Sequence, residues 1–355
     1  MELMPPSIEK PKRRIEFLDA LRGLAAIIVV YFHYAAVYFK ICTDFNIKPE
    51  WEFVFRFGGS GVELFFIISG FVILMSLEKS KSLKDFIVSR FSRLYPPYWV
   101  AIFITTLSVA LFPIKSIAGL TLPQTLVNIL MFHTWIGFRN VDGVYWTLGL
   151  ELVFYSLLSV LYVLKVFKQT TSKVFIIFNV LFVLQLLLKF FPQILDIIKP
   201  TSVKVLVDVL TLSGYGSLFM AGMLFYIGYQ STFTKTLIVQ LLVCFLQYVV
   251  LNYDVIPIHC FITPLFFVLF YYCCSGKSRF IENKVLIFLG SISYSLYLIH
   301  ANVCYGLVPF LMRHNVDGLL ALIIVFVFVL IVAYLMHKFV EVWLSGKIKA
   351  ILLKK

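Results

Sequence analysis

Apolar runs of 13 to 28 residues follow one another along this chain, separated by short polar connections rich in Lys and Arg. Stretches free of Asp, Glu, Lys and Arg occupy 23–39, 64–77, 94–114, 152–164, 174–188, 209–234, 236–253, 255–276, 285–312 and 318–337. A helix needs about 20 apolar residues to cross a bilayer. The shorter runs reach that length by extending through one flanking or internal charge, as 145–164 does through Glu151. The pattern predicts an all-α polytopic membrane protein of about ten transmembrane helices. Ten-residue segments of alternating polarity, which an outer-membrane barrel requires, do not occur, and no internal repeat is visible. An eleventh run, 116–138, is long enough to span but carries Gly119, Pro123, Gln124, Asn128 and His133.

Charge arbitrates between ten spans and eleven. With ten, the loops after residue 138 place 12 Lys and Arg inside and 5 outside, and an eleventh span inverts that split. The positive-inside rule favours ten. Over the whole chain 22 basic residues then face the cytoplasm and 9 face outward, with Lys10, Lys12, Arg13, Arg14, the 79–93 loop and the basic end at 347–355 all inside. Both termini are therefore expected in the cytoplasm. The first run lacks a small-residue cleavage site and contains Tyr31, His33 and Tyr34, so it reads as a retained helix and not a signal peptide. The longest connection is the outer segment 113–144, which leaves one membrane-embedded domain over 1–345 and a short basic cytoplasmic tail at 346–355.

Composition agrees with this reading and narrows it. Of 355 residues, 61% are hydrophobic and only 14% charged, which excludes a water-soluble globule and, with it, a nucleic-acid-binding protein. The net charge of +13 is explained by cytoplasmic loops and anionic lipid, without a polyanionic ligand. Six cysteines, Cys42, Cys244, Cys260, Cys273, Cys274 and Cys304, show no C-x-x-C spacing and read as small buried hydrophobes.

Ionisable residues inside spans carry the chemical information, because each costs free energy in lipid unless it meets a partner or a watery cavity. Arg22 and His33 lie eleven residues apart on the first helix, hence on nearly one face and roughly 16 Å apart along the axis. A guanidinium at the inner mouth and an imidazole deeper in the membrane suit a long ligand with phosphates at one end and a reactive group at the other. The stretch FGGSGVELFFIISGF, 57–71, adds Glu63, Ser69 and four glycines. Arg90 and Arg93 stand one helical turn apart before LYPPYW, placed either to clamp a phosphate or to anchor the helix at the inner surface. WTLGLELVFY, 146–155, aligns Thr147, Glu151 and Tyr155. GSISYSLYLIH, 290–300, aligns Ser293, Tyr297 and His300, either for a ligand or for hydrogen bonds between helices. His133 and His259 fall toward the outer face, as contacts for an outside substrate or as interfacial residues. No spacing of histidines and acids points to a metal.

As a set these motifs resemble the acyltransferase-3 family of integral membrane O-acyltransferases. RRIEFLDALRGLAAIIVVYFHY at 13–34, the glycine-rich stretch, Arg90-x-x-Arg93 with its Tyr-Pro, WTLGLELVFY and GSISYSLYLIH occur in that family's order. Two positions depart from the pattern: Glu63 stands where Asp is frequent, and Glu341 resembles the last-helix acid but lacks the usual nearby Pro. The resemblance implies a ten-helix enzyme of the inner membrane that moves an acyl group, most often acetyl, from cytoplasmic acetyl-CoA or another acyl-CoA to a hydroxyl of an extracytoplasmic glycan. It implies phosphate binding by Arg22, Arg90 and Arg93. His33 becomes a general base or acyl carrier, oriented by Glu151 or His300, with Ser69 and Tyr297 as oxyanion candidates. On the outer side, His133, Trp135, Arg139 and Asp142 are placed to meet sugar hydroxyls or to form an interfacial belt. A glycan or lipid transporter without acyl-transfer chemistry is the rival reading, and the acceptor and oligomeric state are left open.

Overall fold

A computed structural model describes residues 15–37, 57–113, 121–164, 171–191 and 212–354. Lys10, Lys12, Arg13, Arg14, Cys42 and Lys355 lie outside the described residues. Those described form helices and no strands: α1 (Glu16–Val37), α2 (Gly61–Lys79), α3 (Leu83–Leu111), α4 (Leu122–Asn128), α5 (Trp146–Val163), α6 (Thr171–Phe190), α7 (Gly216–Gln230), α8 (Lys235–Asn252), α9 (Pro257–Cys274), α10 (Lys284–Arg313), α11 (Gly318–Met336) and α12 (Ser345–Leu353). Eight of them, α1, α2, α3, α5, α8, α9, α10 and α11, the last with its continuation, are long and apolar enough to cross a membrane. The protein is thus an integral membrane protein. Two more helices fall on expected spans: α6, whose apolar centre is Phe175–Leu187, and α7, whose 15 residues are too few to meet that length but are almost all buried.

The 116–138 stretch, as far as it is described, is no span. A capping box closes the start of α4, with Thr121 and Gln124 each bonding the other's backbone N–H, and the helix ends after seven residues. Asn128 then clamps the returning chain: its amide donates to Gln124 O at 2.8 Å and Arg139 O at 2.9 Å, and its carbonyl accepts from Val141 N at 2.9 Å. Tyr98 OH and Trp99 Nε1 of α3 donate to Asn128 O and Ile129 O. The segment therefore folds over the end of the bundle.

Backbone contact between helices sets the positions of the polar side chains. A Cβ on Gly290 would lie 1.7 Å from Asp19 O, and one on Gly23 would lie 2.1 Å from Leu286 O. α1 and α10 accordingly pack main chain to main chain, as small residues allow within a bilayer. Gly70 and Gly222 seat α2 on α7 in the same way, each with a neighbouring carbonyl 2.0 Å from the added carbon. Since a carbonyl on a packed helix cannot swing aside, Gly290→Ala forces the two helices apart. We expect it to cost at least about 1–3 kcal/mol of stability and to reduce the monodisperse fraction on size exclusion in mild detergent. A wild-type elution profile and melting temperature would contradict this packing.

α11 runs on into a π-helical turn, His337–Leu344, that carries Glu341 back onto α10, where it accepts from Ser295 N at 3.0 Å and from the Ser295 hydroxyl. Most of the stretch expected as a basic tail is α12, held on α3 by Lys349 Nζ donating to Ser89 Oγ at 3.0 Å. The five described cysteines are buried thiols.

Candidate active site

Two cavities lie along the bundle interior. The narrower, of about 100 Å³, is lined by Arg22 from α1, Ser69 from α2, Arg90 and Arg93 from α3, Glu151 and Tyr155 from α5, and Ser293, Tyr294 and Tyr297 from α10. Its charged wall is three guanidiniums against one carboxylate. Arg22 is held by Asp19 at 3.2 Å, and Arg90 donates to Ser76 Oγ at 2.9 Å while its Nε is buried with no partner among the described residues. Arg93 makes no hydrogen bond within the described protein and lies within Coulombic range of Arg22 and Arg90. Three like charges on one cavity wall, Arg22 and Arg90 half-buried and Arg93 exposed, with an orphaned N–H on Arg90, fit an anion with several oxygens, such as a phosphate group.

Glu151 belongs to this cavity and not to His33. Its Oε1 accepts from Ser69 Oγ at 2.8 Å and from the Tyr155 hydroxyl one turn away, and no contact joins it to His33 among the described residues. The expectation that Glu151 orients the imidazole is therefore corrected: α5 turns the carboxylate toward the arginines.

The wider cavity, about 420 Å³, is lined by Val29, Phe32 and His33 of α1, Gly59, Val62 and Glu63 around the start of α2, Val144 and Trp146, Tyr215, His259 of α9 and Tyr297. Its volume falls in the range of small-molecule sites. Val62 and Tyr297 line both cavities, so the two adjoin at these side chains.

His300 is the residue beside His33, its Nε2 lying 3.2 Å from His33 Nδ1. The flanking carbonyls assign the tautomers. His33 Nδ1 is 3.0 Å from Val29 O and His300 Nδ1 is 2.8 Å from Tyr297 O; a carbonyl only accepts, so each Nδ1 carries the proton. His300 Nε2 is then a lone pair that shares the His33 Nδ1–H. That leaves Nε2 as the unprotonated nitrogen of His33, a residue that lines the wider cavity, and this is the state required of a base or nucleophile. Close packing of α1 on α10 maintains this arrangement, and His300 is fully buried.

The two oxyanion candidates are engaged. Ser69 gives its proton to Glu151, while the Tyr297 hydroxyl lies 3.0 Å from Val144 O and 2.7 Å from Thr147 Oγ1. Of the residues expected to meet an outside substrate, His133 is buried with Nε2 2.6 Å from Asn140 Oδ1, and Trp135 packs at Gly149. Arg139 is tied through its carbonyl to Asn128. Asp142 accepts from Val144 N at 3.2 Å and Asn302 N at 3.1 Å, fixing the outer segment to α10. Burial pushes its carboxyl up to about 7, against two backbone donors that favour the anion. None of these four lines either cavity.

What sequence reasoning missed is the pairing of Glu63 with His259. His259 Nδ1 and Tyr248 OH each lie 2.8 Å from Glu63 Oε1, joining residues 196 and 185 positions apart. Glu63 was marked by standing where the family frequently has Asp, but nothing in the sequence paired it with His259. No group of three or more His, Cys, Asp or Glu is placed to hold a metal among the described residues.

Comparison with known proteins matches residues 15–338 to the profile of the acyltransferase-3 family, described as an acyltransferase domain. Nodulation protein 10 of Rhizobium leguminosarum bv. viciae is 29% identical over 44% of this chain and 47% of its own length. Exopolysaccharide production protein ExoZ of Rhizobium meliloti (strain 1021) is 34% identical over 29% and 33%. Acyltransferase MdmB of Streptomyces mycarofaciens is 29% identical over 43% and 39%. The matched region spans less than half the length of each relative. No solved structure matches.

Proposed function

Because this chain belongs to the acyltransferase-3 family, we propose that it transfers an acyl group, acetyl in the first instance, from cytoplasmic acyl-CoA to a hydroxyl of an extracytoplasmic glycan. The observation that carries this reading is the pair of cavities, one walled by three arginines and the other holding His33, that adjoin at Val62 and Tyr297. The positive-inside count supports a cytoplasmic side for the arginine cavity, and in this reading the protein lies in an inner membrane with both chain ends in the cytoplasm. Arg22, Arg90 and Arg93 fit the phosphates of the donor, and Arg90 Nε awaits an acceptor. The relative named for exopolysaccharide production favours a polysaccharide hydroxyl as acceptor.

In this mechanism the thioester end of the donor passes the junction between the cavities and stops beside His33. His33 Nε2 removes the proton from the acceptor hydroxyl as its oxygen attacks the thioester carbonyl; the C–S bond breaks and CoA leaves as the thiol, which takes up the proton. His300 Nε2 accepts from His33 Nδ1 throughout and stabilises the imidazolium as it forms. A two-step route, with the acyl group carried on His33 Nε2, uses the same atoms.

Membranes containing the protein are to be supplied with radiolabelled acetyl-CoA, and label is to be followed into the glycan fraction. The expected result is label that depends on the protein and is released by mild alkali, as an ester is. Unmodified glycan crossing the membrane without label would instead favour a transporter.

A further inference from the structure

The wide cavity holds a buried acid for which the chemistry at His33 has no use. Glu63 is 1% exposed, in a membrane helix where a carboxylate is tolerated only with partners. It has two, both on one oxygen: Tyr248 of α8 and His259 of α9 donate to Oε1. Its other oxygen, Oε2, is buried with no hydrogen-bond partner among the described residues. An unfilled buried acceptor is unusual, because nearly all such atoms in folded proteins are bonded. A carboxylate accepts only, so the missing partner is an O–H or N–H group.

Glycines place this acid on the wall it shares with His33. A Cβ on Gly58 would lie 2.9 Å from Ile28 O, and one on Gly61 would lie 2.7 Å from Ala25 O, so the start of α2 rests directly on the backbone of α1. Gly59 gives up its side-chain space to the His259 ring, 2.9 Å from where a Cβ would be. The cavity is otherwise largely apolar, and Trp146 and Tyr215, with ring centroids 5.6 Å apart, give it an aromatic wall suited to the C–H face of a sugar ring.

We infer that Glu63 Oε2 is the hydroxyl-recognition point of the acceptor: it takes a hydrogen bond from one hydroxyl of a sugar and holds a second hydroxyl of that molecule toward His33. Tyr248 and His259 are positioning residues that fix the carboxylate through Oε1. The inference rests on the proposed transfer reaction for the use made of the second hydroxyl, but the binding itself can be read without any turnover.

The test uses full-length protein in lipid nanodiscs, with two ligands measured separately. One is CoA. The other is a reducing-end-tagged oligosaccharide pool cut from the envelope polysaccharide of the producing cells, offered either as such or permethylated. Wild type is expected to bind the free-hydroxyl pool and not the permethylated one. Glu63→Gln, which turns the acceptor oxygen into a donor or leaves an amide in its place, is expected to weaken glycan binding about 10- to 100-fold, with CoA binding within twofold of wild type. Glycan affinity unchanged in Glu63→Gln, or equal wild-type affinity for the permethylated pool, would overturn the inference. So would an absence of glycan binding to wild type that binds CoA. If Glu63→Gln loses CoA binding as well, the protein has been disturbed globally and Gly59→Ala takes its place, displacing His259 while keeping the carboxylate. Selective loss of glycan binding then supports the inference, and none overturns it. Transfer of label by wild type, assayed in parallel, reports on the proposed reaction independently: binding without transfer would leave the recognition point standing and remove the reaction.

Discussion

His33→Ala is expected to lower acyl transfer about 10²- to 10⁴-fold at saturating donor and acceptor, while CoA binding stays within twofold. The effect is large because His33 lines the wide cavity with its Nδ1 proton engaged by Val29 O and His300, whereas His300 Nε2 points at His33 on a fully buried side chain and His259 is engaged with Glu63. CoA binding is spared because the arginines line the other cavity. His300→Leu stays close to the volume but removes the acceptor for His33 Nδ1–H, so it should lower kcat by a smaller factor and leave both KM values near wild type. Comparing the two variants by steady-state kinetics on matched protein checks the tautomer assignment. If His300→Leu proved as inactive as His33→Ala, His300 would itself carry the proton.

Arg93→Gln is the second change with a large expected effect, an increase of about 10- to 100-fold in donor KM with kcat little altered. Arg22 and Arg90 each spend part of their hydrogen bonding on the protein, through Asp19 and Ser76, whereas Arg93 makes no hydrogen bond within the described protein. A cation kept in that position has little structural stake to lose, so its removal falls on the ligand. The loss is expected to shrink when the donor lacks the 3′-phosphate if Arg93 meets that group, and to persist if it meets the pyrophosphate. Kinetics with acetyl-CoA and its dephospho analogue separate these cases. An unchanged donor KM would exclude Arg93 from phosphate binding.

The placement of several candidate residues was legible because its signals are local. Arg22 and His33 share one helix face by simple periodicity, and the Ser293, Tyr297, His300 stripe of α10 faces the bundle interior, with Ser293 and Tyr297 on the narrow cavity and His300 against His33. The refusal of 116–138 to span followed from charge counting and is realised by the Asn128 clamp. What was not legible depends on which helix turns toward which. Glu151 looked like a partner for His33 because both are ionisable groups in apolar helices; only the packing of α5 on α2 and α3 gives it to Ser69, Tyr155 and the arginines. The Glu63–His259 contact spans 196 positions and leaves no periodic trace, so His259 looked interfacial. His133 and Asp142 were read as contacts for an outside ligand or as part of an interfacial belt, yet both are buried and hydrogen-bonded to Asn140, Val144 and Asn302.

The central claim is that donor and acceptor reach one imidazole from opposite faces of the membrane, through cavities that adjoin at Val62 and Tyr297. It is tested most directly in sealed vesicles of known orientation, with membrane-impermeant labelled acetyl-CoA on one face and glycan on the other. The account predicts ester-linked label on the glycan only when acetyl-CoA is on the cytoplasmic face and the glycan on the opposite one. Transfer that required both on the same face, or that proceeded with acetyl-CoA supplied from outside alone, would contradict it.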